Sequence, residues 1–377
     1  MSLHITDQFD GGNIRVLDAS DTDAIRLEIR KDNKSDFYQW FYFRVTGARH
    51  QDLTLILENA AGAAYLDGWT DYQACASYDR ENWFRIDTDY VADRGLILRH
   101  TPERDTIWFA YFAPYPMERH QDLIAWAQSQ DRVRLEVLGE SLDGQPLDLL
   151  TIGEPGDDKK TIWITARQHP GETMAEWWME GFLARLLDRD DPVARVILDH
   201  AVFHIVPNMN PDGSKRGHLR TNAAGINLNR EWDKATPDTS PEVYHVLNRM
   251  RETGMDLALD VHGDEALPYN FIAGGEGAPD FTEQQQELLD HYKAALEAIT
   301  PDFQTEFGYD VDAPGEADLS ICTNYLTQTF ACLAMTLEMP FKDNADLPEP
   351  EQGWSPERCR KLGAANLDSM LALVDEI

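Results

Sequence analysis

The stretch Thr161–Glu172, TIWITARQHPGE, decides the fold class and points to a site of chemistry. Its first five residues, Thr161–Thr165, are apolar or β-branched, which is typical of a buried strand. Pro170-Gly171 cannot continue a strand, so we predict that an amphipathic helix starts at Glu172. The pattern places His169 at the carboxyl end of a strand and Glu172 in the first turn of the next helix. Ligands bind at this edge of open α/β sheets.

The charge balance limits the partners of this chain. Its 377 residues include 67 acidic and 33 basic side chains, which gives a formal net charge of −34 at pH 7. A field of this sign repels nucleic-acid phosphates and anionic membrane surfaces, so we expect neither as a partner. The charge favours solubility, and attraction of basic substrates is the alternative interpretation. A homo-oligomer is compatible with this composition.

The sequence gives no signal for export, membrane spanning or disulfide formation. The opening stretch MSLHITDQFDGGNIRV has no basic segment followed by an apolar core. No apolar run approaches the length of a membrane span. The four cysteines lie far apart, and none belongs to a C-x-x-C pair. We therefore expect a cytoplasmic protein without a disulfide framework.

Residues 1–115 have the pattern of an antiparallel β-sandwich domain. Short runs rich in aromatic and β-branched residues alternate with polar turns, and no helical pattern separates them. These runs are Asp36–Val45, Asp52–Ala60, Asn82–Val91, Gly95–His100 and Asp105–Ala113. The segment Pro114–Arg119 interrupts the pattern, so we place the domain boundary after residue 115.

Residues 116–377 change to strands that alternate with helices. This order predicts an α/β fold with a mixed sheet flanked by helices. Val133–Gly153 has the pattern of a hairpin that turns at Asp143-Gly144. Ser355 followed by Pro356 predicts the start of the last helix. Three later apolar strands, AVFHIV, MDLALDV and ACLAMTL, each run into polar residues.

Two further residues repeat the placement of His169. His262 follows the apolar strand MDLALDV, and Glu338 lies near the end of an otherwise apolar strand over Ala331–Leu337. A His and a carboxylate three residues apart across a turn can share a metal ion, and two His with one Glu form an established catalytic zinc set. Burying the Glu338 carboxylate costs several kcal/mol unless it is paired or bound. A zinc hydrolase needs such a residue as its general base.

The block Asn208–Trp232 offers groups that bind anions. It is rich in Asn, Gly and Arg, and its Asn-Pro-Asp-Gly sequence is a strong turn signal. Arg220, Asn229 and Arg230 can aim planar donors at a carboxylate or an oxyanion. An ordinary surface loop carrying arginines is the alternative interpretation of the same residues.

Together these motifs resemble the zinc carboxypeptidase family. The motifs HPGET, NPDG, GHLR, GINLNREW, DVHGDE and TLEMPF occur in the order that this family shows, and they are most similar to its cytosolic carboxypeptidase branch. The aromatic segment QWFYFR resembles the β domain that precedes the catalytic domain in that branch. The resemblance covers nearly the whole chain and implies a zinc carboxypeptidase fold after an N-terminal β domain.

The resemblance also implies roles for the motif residues. His169, Glu172 and His262 would bind one Zn²⁺ ion per chain, as in the His₂Glu site of carboxypeptidase A. Glu338 would be the general base. A second group would act on the substrate: Arg220 on the scissile carbonyl, Asn229 and Arg230 on the terminal carboxylate, and Tyr309 as a mobile cap, with Tyr325 as the alternative for that cap.

The resemblance predicts a metallocarboxypeptidase that hydrolyses the C-terminal peptide bond of peptides or protein tails. A zinc amidohydrolase that deacylates small N-acyl amino acids, or a non-catalytic binding module of the same fold, remains an alternative. The branch often has a second His after the zinc-binding His-Gly, where this chain has Asp264. The side-chain preference stays open, because Asp318 would favour a basic residue, whereas Arg249 or Lys234 would favour an acidic one.

Overall fold

The regular secondary structure in the first part of the chain is almost entirely β-strand. The computed structural model describes residues 3–156 and 158–377. The strands in the first part are β1 (His4–Thr6), β2 (Arg15–Asp18), β3 (Ile25–Glu28), β4 (Tyr42–Thr46), β5 (Leu53–Leu57), β6 (Cys75–Ser77), β7 (Phe84–Arg85), β8 (Asp87–Val91), β9 (Gly95–His100) and β10 (Thr106–Ala110). Two short 3₁₀ turns, Glu58–Gly62 and Leu66–Trp69, follow β5.

These strands form two five-stranded sheets, in the orders β1-β4-β10-β6-β7 and β2-β3-β5-β9-β8. Alternate residues of β5 are buried, which gives the sheet one face for the core. The predicted antiparallel arrangement is confirmed for every pair except β3 and β5, which run parallel. Two of the predicted strand runs were too long. In the run 36–45, regular strand begins only with β4, and the run 82–91 divides into the two strands β7 and β8.

The second part alternates helices with strands. Its elements are α1 (Met117–Gln128), β11 (Val133–Glu140), β12 (Pro146–Ile152), β13 (Lys160–Ala166), α2 (Met174–Leu186), α3 (Pro192–His200), β14 (Ala201–Val206), α4 (Pro211–Arg216), α5 (Pro241–Thr253), β15 (Leu257–Val261), β16 (Phe271–Ala273), α6 (Glu283–Ile299), α7 (Cys322–Phe330), β17 (Leu333–Glu338) and α8 (Pro356–Leu373). As predicted, Ser355 caps the last helix through its side chain, which accepts the N–H of Arg358.

A seven-stranded mixed sheet runs through this part in the order β11-β12-β14-β13-β15-β17-β16. Strand β13 explains why both faces carry helices. Ile162 and Ile164 pack with the apolar residues of α2 and α8, whereas Trp163 packs with those of α5 and donates to Thr253 Oγ1 at 3.1 Å. A strand buried on both faces needs the continuous apolar run that the sequence has here. The predicted α/β fold is confirmed.

The parallel strands at the centre of this sheet position the site. β13, β15 and β17 are neighbours and run in the same direction. Their carboxyl ends therefore lie at one edge, where His169, His262 and Glu338 follow or end them. The prediction that Glu172 lies inside the first helical turn was wrong, because α2 starts at Met174. Glu172 belongs to the tight turn before the helix, where its backbone N–H donates to His169 O at 3.2 Å.

The two parts of the chain share apolar contacts. The ring of Tyr111 stacks on Phe341 with centroids 4.5 Å apart, so one apolar cluster continues from the N-terminal sheets into the second part. The predicted division into residues 1–115 and 116–377 falls in the connection between β10 and α1, and it stays a prediction. Within the described ranges, the helices are all too short or too polar to cross a bilayer.

A buried ion-pair network ties α1 to α2 and β12. His120 lies 2.8 Å from Glu176 Oε1 and 3.5 Å from Asp148 Oδ2, and Arg167 also pairs with Glu176. Burial alone lowers the pKa of His120, but the two carboxylates outweigh it and raise the pKa to about 9. The unfolded value is about 6.5. The stabilisation is therefore complete below pH 6.5 and is lost as the pH rises through 9.

We predict that His120→Gln removes this pH dependence. Between pH 6 and pH 10 at fixed metal loading, the wild type should lose about 3 kcal/mol more unfolding free energy than the variant. Urea denaturation at several pH values measures this difference. His200→Gln is the control, because His200 pairs with Asp375 on the surface. A His120→Gln profile parallel to that of the wild type would contradict the prediction.

Candidate metal and catalytic site

A cleft of about 500 Å³ opens at the carboxyl edge of the central strands. It is lined by most of the residues predicted for the site, namely His169, Glu172, Arg220, Asn229, Arg230, Tyr309 and Glu338. The predicted ligand His262 lies behind them and is buried. Tyr65, from the N-terminal part of the chain, also lines the cleft. The structure thus brings together residues that are far apart in sequence.

Three predicted metal ligands converge on one point. Donor atoms of His169, Glu172 and His262 all lie within 4.8 Å of one another. Glu172 Oε1 is 2.6 Å from His169 Nδ1, and Glu172 Oε2 is 2.8 Å from His262 Nδ1. The two Nδ1 atoms are 3.2 Å apart. A set of two imidazole nitrogens and one carboxylate is the chemistry that zinc binds at catalytic sites.

The outer nitrogens of both imidazoles face hydrogen-bond acceptors. His262 Nε2 is 2.7 Å from Asp260 Oδ2, and His169 Nε2 is 3.0 Å from Asn227 Oδ1. Asp260 is itself held by Thr165 Oγ1 at 2.7 Å and by Gln168 Nε2. These acceptors fix the orientation of the two rings, with each Nδ1 atom directed toward Glu172. Outer partners of this kind orient metal-binding histidines.

The electrostatics of this cluster favour a cation. Burial and the nearby Arg220 guanidinium lower the pKa of His169 to about 4, so its imidazole is neutral at pH 7, as a ligand must be. Burial also acts to lower the pKa of His262, but Asp260 and Glu172 outweigh it and raise that pKa well above its usual range. The Glu172 carboxylate between the two imidazoles therefore attracts positive charge. A divalent ion would supply it, and the donor set fits such an ion.

Glu338 is the last residue of β17 and is 6% exposed in the cleft. Its Oε2 atom is buried and has no hydrogen-bond partner within the described ranges. Burial raises the pKa of this carboxyl well above its usual range, Glu172 adds to that effect, and His262 opposes it. An uncommitted carboxylate oxygen in this position can exchange a proton with a bound molecule.

Three donors predicted to contact substrate line the cleft. Arg220 Nη1 is 3.9 Å from Glu172 Oε1, and its side chain is mostly buried. Asn229 and Arg230 belong to a short 3₁₀ turn, Leu228–Arg230. Asn229 Oδ1 accepts the N–H of Cys322 at 2.8 Å. The Asn229 amide N–H groups have no acceptor in the part of the chain that the structure covers, and the Arg230 side chain is 44% exposed.

The structure separates the two tyrosine candidates. Tyr309 lines the cleft, is half exposed and donates through its hydroxyl to Asp264 Oδ2 at 2.7 Å. Tyr325 lies outside the cleft on α7, where its hydroxyl accepts from Arg251 at 3.1 Å. The capping role of Tyr309 stays a prediction.

The three residues considered for side-chain preference do not line the cleft. Arg249 pairs with Glu136 at the far side of α5, Lys234 borders a separate small depression, and Asp318 lies at the surface near Arg230. The cleft wall beside Glu338 is instead formed by Thr323, Asn324, Thr336, Glu276 and Lys293, with Lys293 Nζ 3.8 Å from Glu276 Oε1.

Sequence reasoning missed four residues of the site. Asp260 had a signal, because it lies two positions before His262 and so shares its face of the strand. Asn227 had a different signal, because Asn is favoured at the cap of a helical turn, and its side chain accepts the N–H of Asn229. Glu265 is a buried carboxyl that lines the cleft, and Tyr65 belongs to a different part of the chain. No local pattern marks these last two.

Family models match nearly all of the chain. Residues 5–112 match the cytosolic carboxypeptidase N-terminal domain, and residues 120–358 match the zinc carboxypeptidase model. The chain belongs to the zinc carboxypeptidase family. The predicted membership, including the cytosolic carboxypeptidase branch, is confirmed. As a zinc carboxypeptidase it is a hydrolase of the metallocarboxypeptidase class, whose members depend in general on a metal ion.

Similar proteins support the same assignment. Mouse cytosolic carboxypeptidase 6 is 30% identical over 314 residues, which cover 74% of this zinc carboxypeptidase and 57% of the mouse protein. A crystal structure of a metallo-carboxypeptidase from Burkholderia cenocepacia is 49% identical, covers 100% of both chains and has a TM-score of 0.97. A metallo-carboxypeptidase from Pseudomonas aeruginosa in complex with (2-guanidinoethylmercapto)succinic acid is 46% identical, covers 99% of both chains and has a TM-score of 0.96.

We predict that Asp260→Asn weakens metal binding without unfolding the protein. The change weakens the acceptor that orients His262, and loss of such a partner typically costs 10- to 100-fold in metal affinity. Competition with a zinc indicator on the apoprotein measures the dissociation constant. Asp256→Asn is the control, because Asp256 precedes the opposite end of β15 and accepts the N–H of Thr161. Equal zinc affinity in both variants would contradict a ligand role for His262.

Proposed function

We propose that this protein is a zinc-dependent carboxypeptidase that hydrolyses the C-terminal peptide bond of peptides or protein tails. One observation carries the proposal: an unpartnered, buried carboxylate oxygen of Glu338 shares the cleft with three converging metal-binding side chains. A metal site without such a base would serve structure or recognition equally well. The two together are the requirements of metal-assisted hydrolysis.

His169, Glu172 and His262 would hold the ion through the two Nδ1 atoms and the Glu172 carboxylate. When bound, zinc lowers the pKa of a coordinated water to about 7 and polarises a carbonyl group. Asp260 and Asn227 would keep the two imidazoles in the orientation that binds the ion.

Glu338 and Arg220 perform complementary tasks on the scissile bond. In its ionised form, which a bound cation would favour, Glu338 takes a proton from the attacking water and delivers it to the leaving amine nitrogen, a transfer that its free Oε2 permits. Arg220 donates to the carbonyl oxygen while negative charge develops there. Its guanidinium is largely buried, so water screens the interaction weakly.

The restriction to C-terminal residues comes from Asn229 and Arg230. The free amide N–H groups of Asn229 and the half-exposed guanidinium of Arg230 offer planar donors to a terminal carboxylate. An interior peptide bond has no carboxylate to place there. Tyr309, across the cleft, would cover the bound residue.

The ligand of the Pseudomonas relative is consistent with carboxylate binding by Asn229 and Arg230. That compound is a succinic acid, so it presents carboxylates of the kind that Asn229 and Arg230 would bind. Protein tails as substrates belong to the proposal alone, because the chain spans 57% of the length of mouse cytosolic carboxypeptidase 6. Cytoplasmic location, a homo-oligomer and the exclusion of nucleic acids and membranes as partners stay predictions.

We predict that Glu338→Gln abolishes turnover while the metal stays bound. The amide cannot accept the proton, so kcat should fall by at least about 10³-fold. Mass spectrometry of a peptide library measures loss of single C-terminal residues, and elemental analysis measures zinc. Near-wild-type turnover by the variant would contradict the base role. Wild-type hydrolysis of N-acyl amino acids, with peptides left intact, would favour the deacylase instead.

We also predict that (2-guanidinoethylmercapto)succinic acid inhibits this protein competitively. Arg230→Ala should raise its inhibition constant at least about tenfold, because a charge-assisted bidentate contact is lost. Arg251→Ala is the matched control, since Arg251 lies on α5 away from the cleft. The same inhibition constant in both variants would mean that Arg230 does not bind the carboxylate.

A further inference from the structure

The loop that carries Arg220 is built on the N-terminal part of the chain. Asp32 lies in a turn between β3 and β4 and is 3% exposed. Its carboxylate accepts hydrogen bonds from the backbone of the Arg220 loop. The donors are Leu219 N at 2.7 Å, Arg220 N at 2.8 Å, Thr221 N at 2.9 Å and Thr221 Oγ1 at 3.1 Å.

Neighbouring contacts hold both ends of the same loop. The backbone N–H of Asn33 donates to His218 Nε2 at 3.0 Å, and its side chain donates to Ala223 O at 2.7 Å. Asn13 Nδ2 donates to Gly217 O at 2.9 Å. The N-terminal part therefore bonds five backbone groups of this loop: the N–H groups of residues 219–221 and the carbonyl groups of Gly217 and Ala223.

Two glycines allow this close approach. Gly217 and Gly225 flank the loop, and both adopt positive φ angles, +71° and +83°. A Cβ atom at Gly217 would lie 2.7 Å from the carbonyl oxygens of Gly11 and Gly12. One at Gly225 would lie 2.6 Å from Lys34 O. The loop conformation thus depends on contact with the N-terminal segments at both ends.

The side chain of Arg220 is also covered from the N-terminal part. Its guanidinium lies 5.3 Å from the ring centre of Tyr65 and 5.7 Å from that of Phe37, within the range of cation–π contact. Tyr65 is fixed in turn, because its N–H donates to Gln39 Oε1 at 2.8 Å and its carbonyl accepts from Gln39 Nε2 at 3.0 Å.

We propose that Asp32 is a positioning residue for Arg220, so that the N-terminal part of the chain completes the catalytic site. Three consecutive amides bonded to one carboxylate fix the peptide planes on both sides of the Arg220 Cα. Tyr65 and Phe37 then restrict the direction of the guanidinium. The inference rests on the proposed function, because it assigns Arg220 to the scissile carbonyl. Asp32 itself does not line the cleft and acts only through the loop.

The test compares Asp32→Asn with Asp79→Asn. Asp79 accepts two backbone N–H groups and two side-chain donors, all within residues 77–82, so it is a matched carboxylate without contact to the Arg220 loop. Misplacement of a catalytic group by about 1 Å can cost about 100-fold in rate. We expect Asp32→Asn to lower kcat about 10- to 100-fold with KM and zinc content nearly unchanged, and Asp79→Asn to keep the wild-type kcat.

A double-mutant cycle separates positioning from general destabilisation. If Asp32 acts through Arg220, then Asp32→Asn should have little further effect on kcat in an Arg220→Ala background. Equal effects of Asp32→Asn in both backgrounds would overturn the proposal, as would wild-type kcat in the single variant. Thr221→Val removes one of the four donors without loss of charge. If Asp32→Asn does not fold, Thr221→Val replaces it in the double-mutant cycle with Arg220→Ala, and we expect a smaller decrease in kcat.

Hydrogen–deuterium exchange provides a readout that needs no turnover. The amides of residues 219–221 should exchange faster in Asp32→Asn than in the wild type, and Asp79→Asn should leave them unchanged. Unchanged protection in Asp32→Asn would overturn the positioning role even if the enzyme is active. If Asp32→Asn exchanges faster but the wild type trims no peptide, the positioning role is supported and the proposed function is rejected. Failure of the positioning role and failure of the proposed function therefore give different results.

Discussion

The rest of the site depends on one close contact: the Nδ1 atoms of His169 and His262 lie 3.2 Å apart, and both face the Glu172 carboxylate. The outer acceptors Asp260 and Asn227 hold both rings with Nδ1 directed toward this carboxylate. Positive charge beside this carboxylate, from a bound cation or a protonated imidazole, offsets the cost of burying it. The cluster therefore supports the metal site that we propose.

The same constraint explains the mixed sheet. Only adjacent parallel strands deliver their carboxyl ends to one edge, and β13, β15 and β17 do so beneath the cleft. Glu338 reaches that edge as the last residue of its strand, which gives it a rigid base and an uncommitted oxygen. A base held on a strand keeps its distance from the metal-binding side chains more accurately than one on a loop.

The loop that brings Arg220 to the cleft is held in place differently from the residues at the strand ends. Arg220 lies on a loop with little secondary structure of its own, and such loops are rigid only when other segments hold them. Here Asp32, Asn33 and the two aromatic rings of Tyr65 and Phe37 provide that support. The N-terminal sheets thus contribute to the geometry of the cleft as well as to the apolar core that both parts share.

The sequence alone determined the residues that end strands or occupy turns in this protein. Alternation of apolar runs with breakers predicted the α/β fold, and His169, His262 and Glu338 were predicted because each follows or ends an apolar strand. Such signals are local, so they survive without coordinates. The exact start of α2 and the parallel pairing of β3 with β5 were not predicted, because caps and pairing depend on neighbouring segments. Only the tertiary structure revealed that Tyr65 and Glu265 line the cleft and that Asp32 bonds the Arg220 loop, since a buried contact between distant segments leaves no periodic pattern in the sequence.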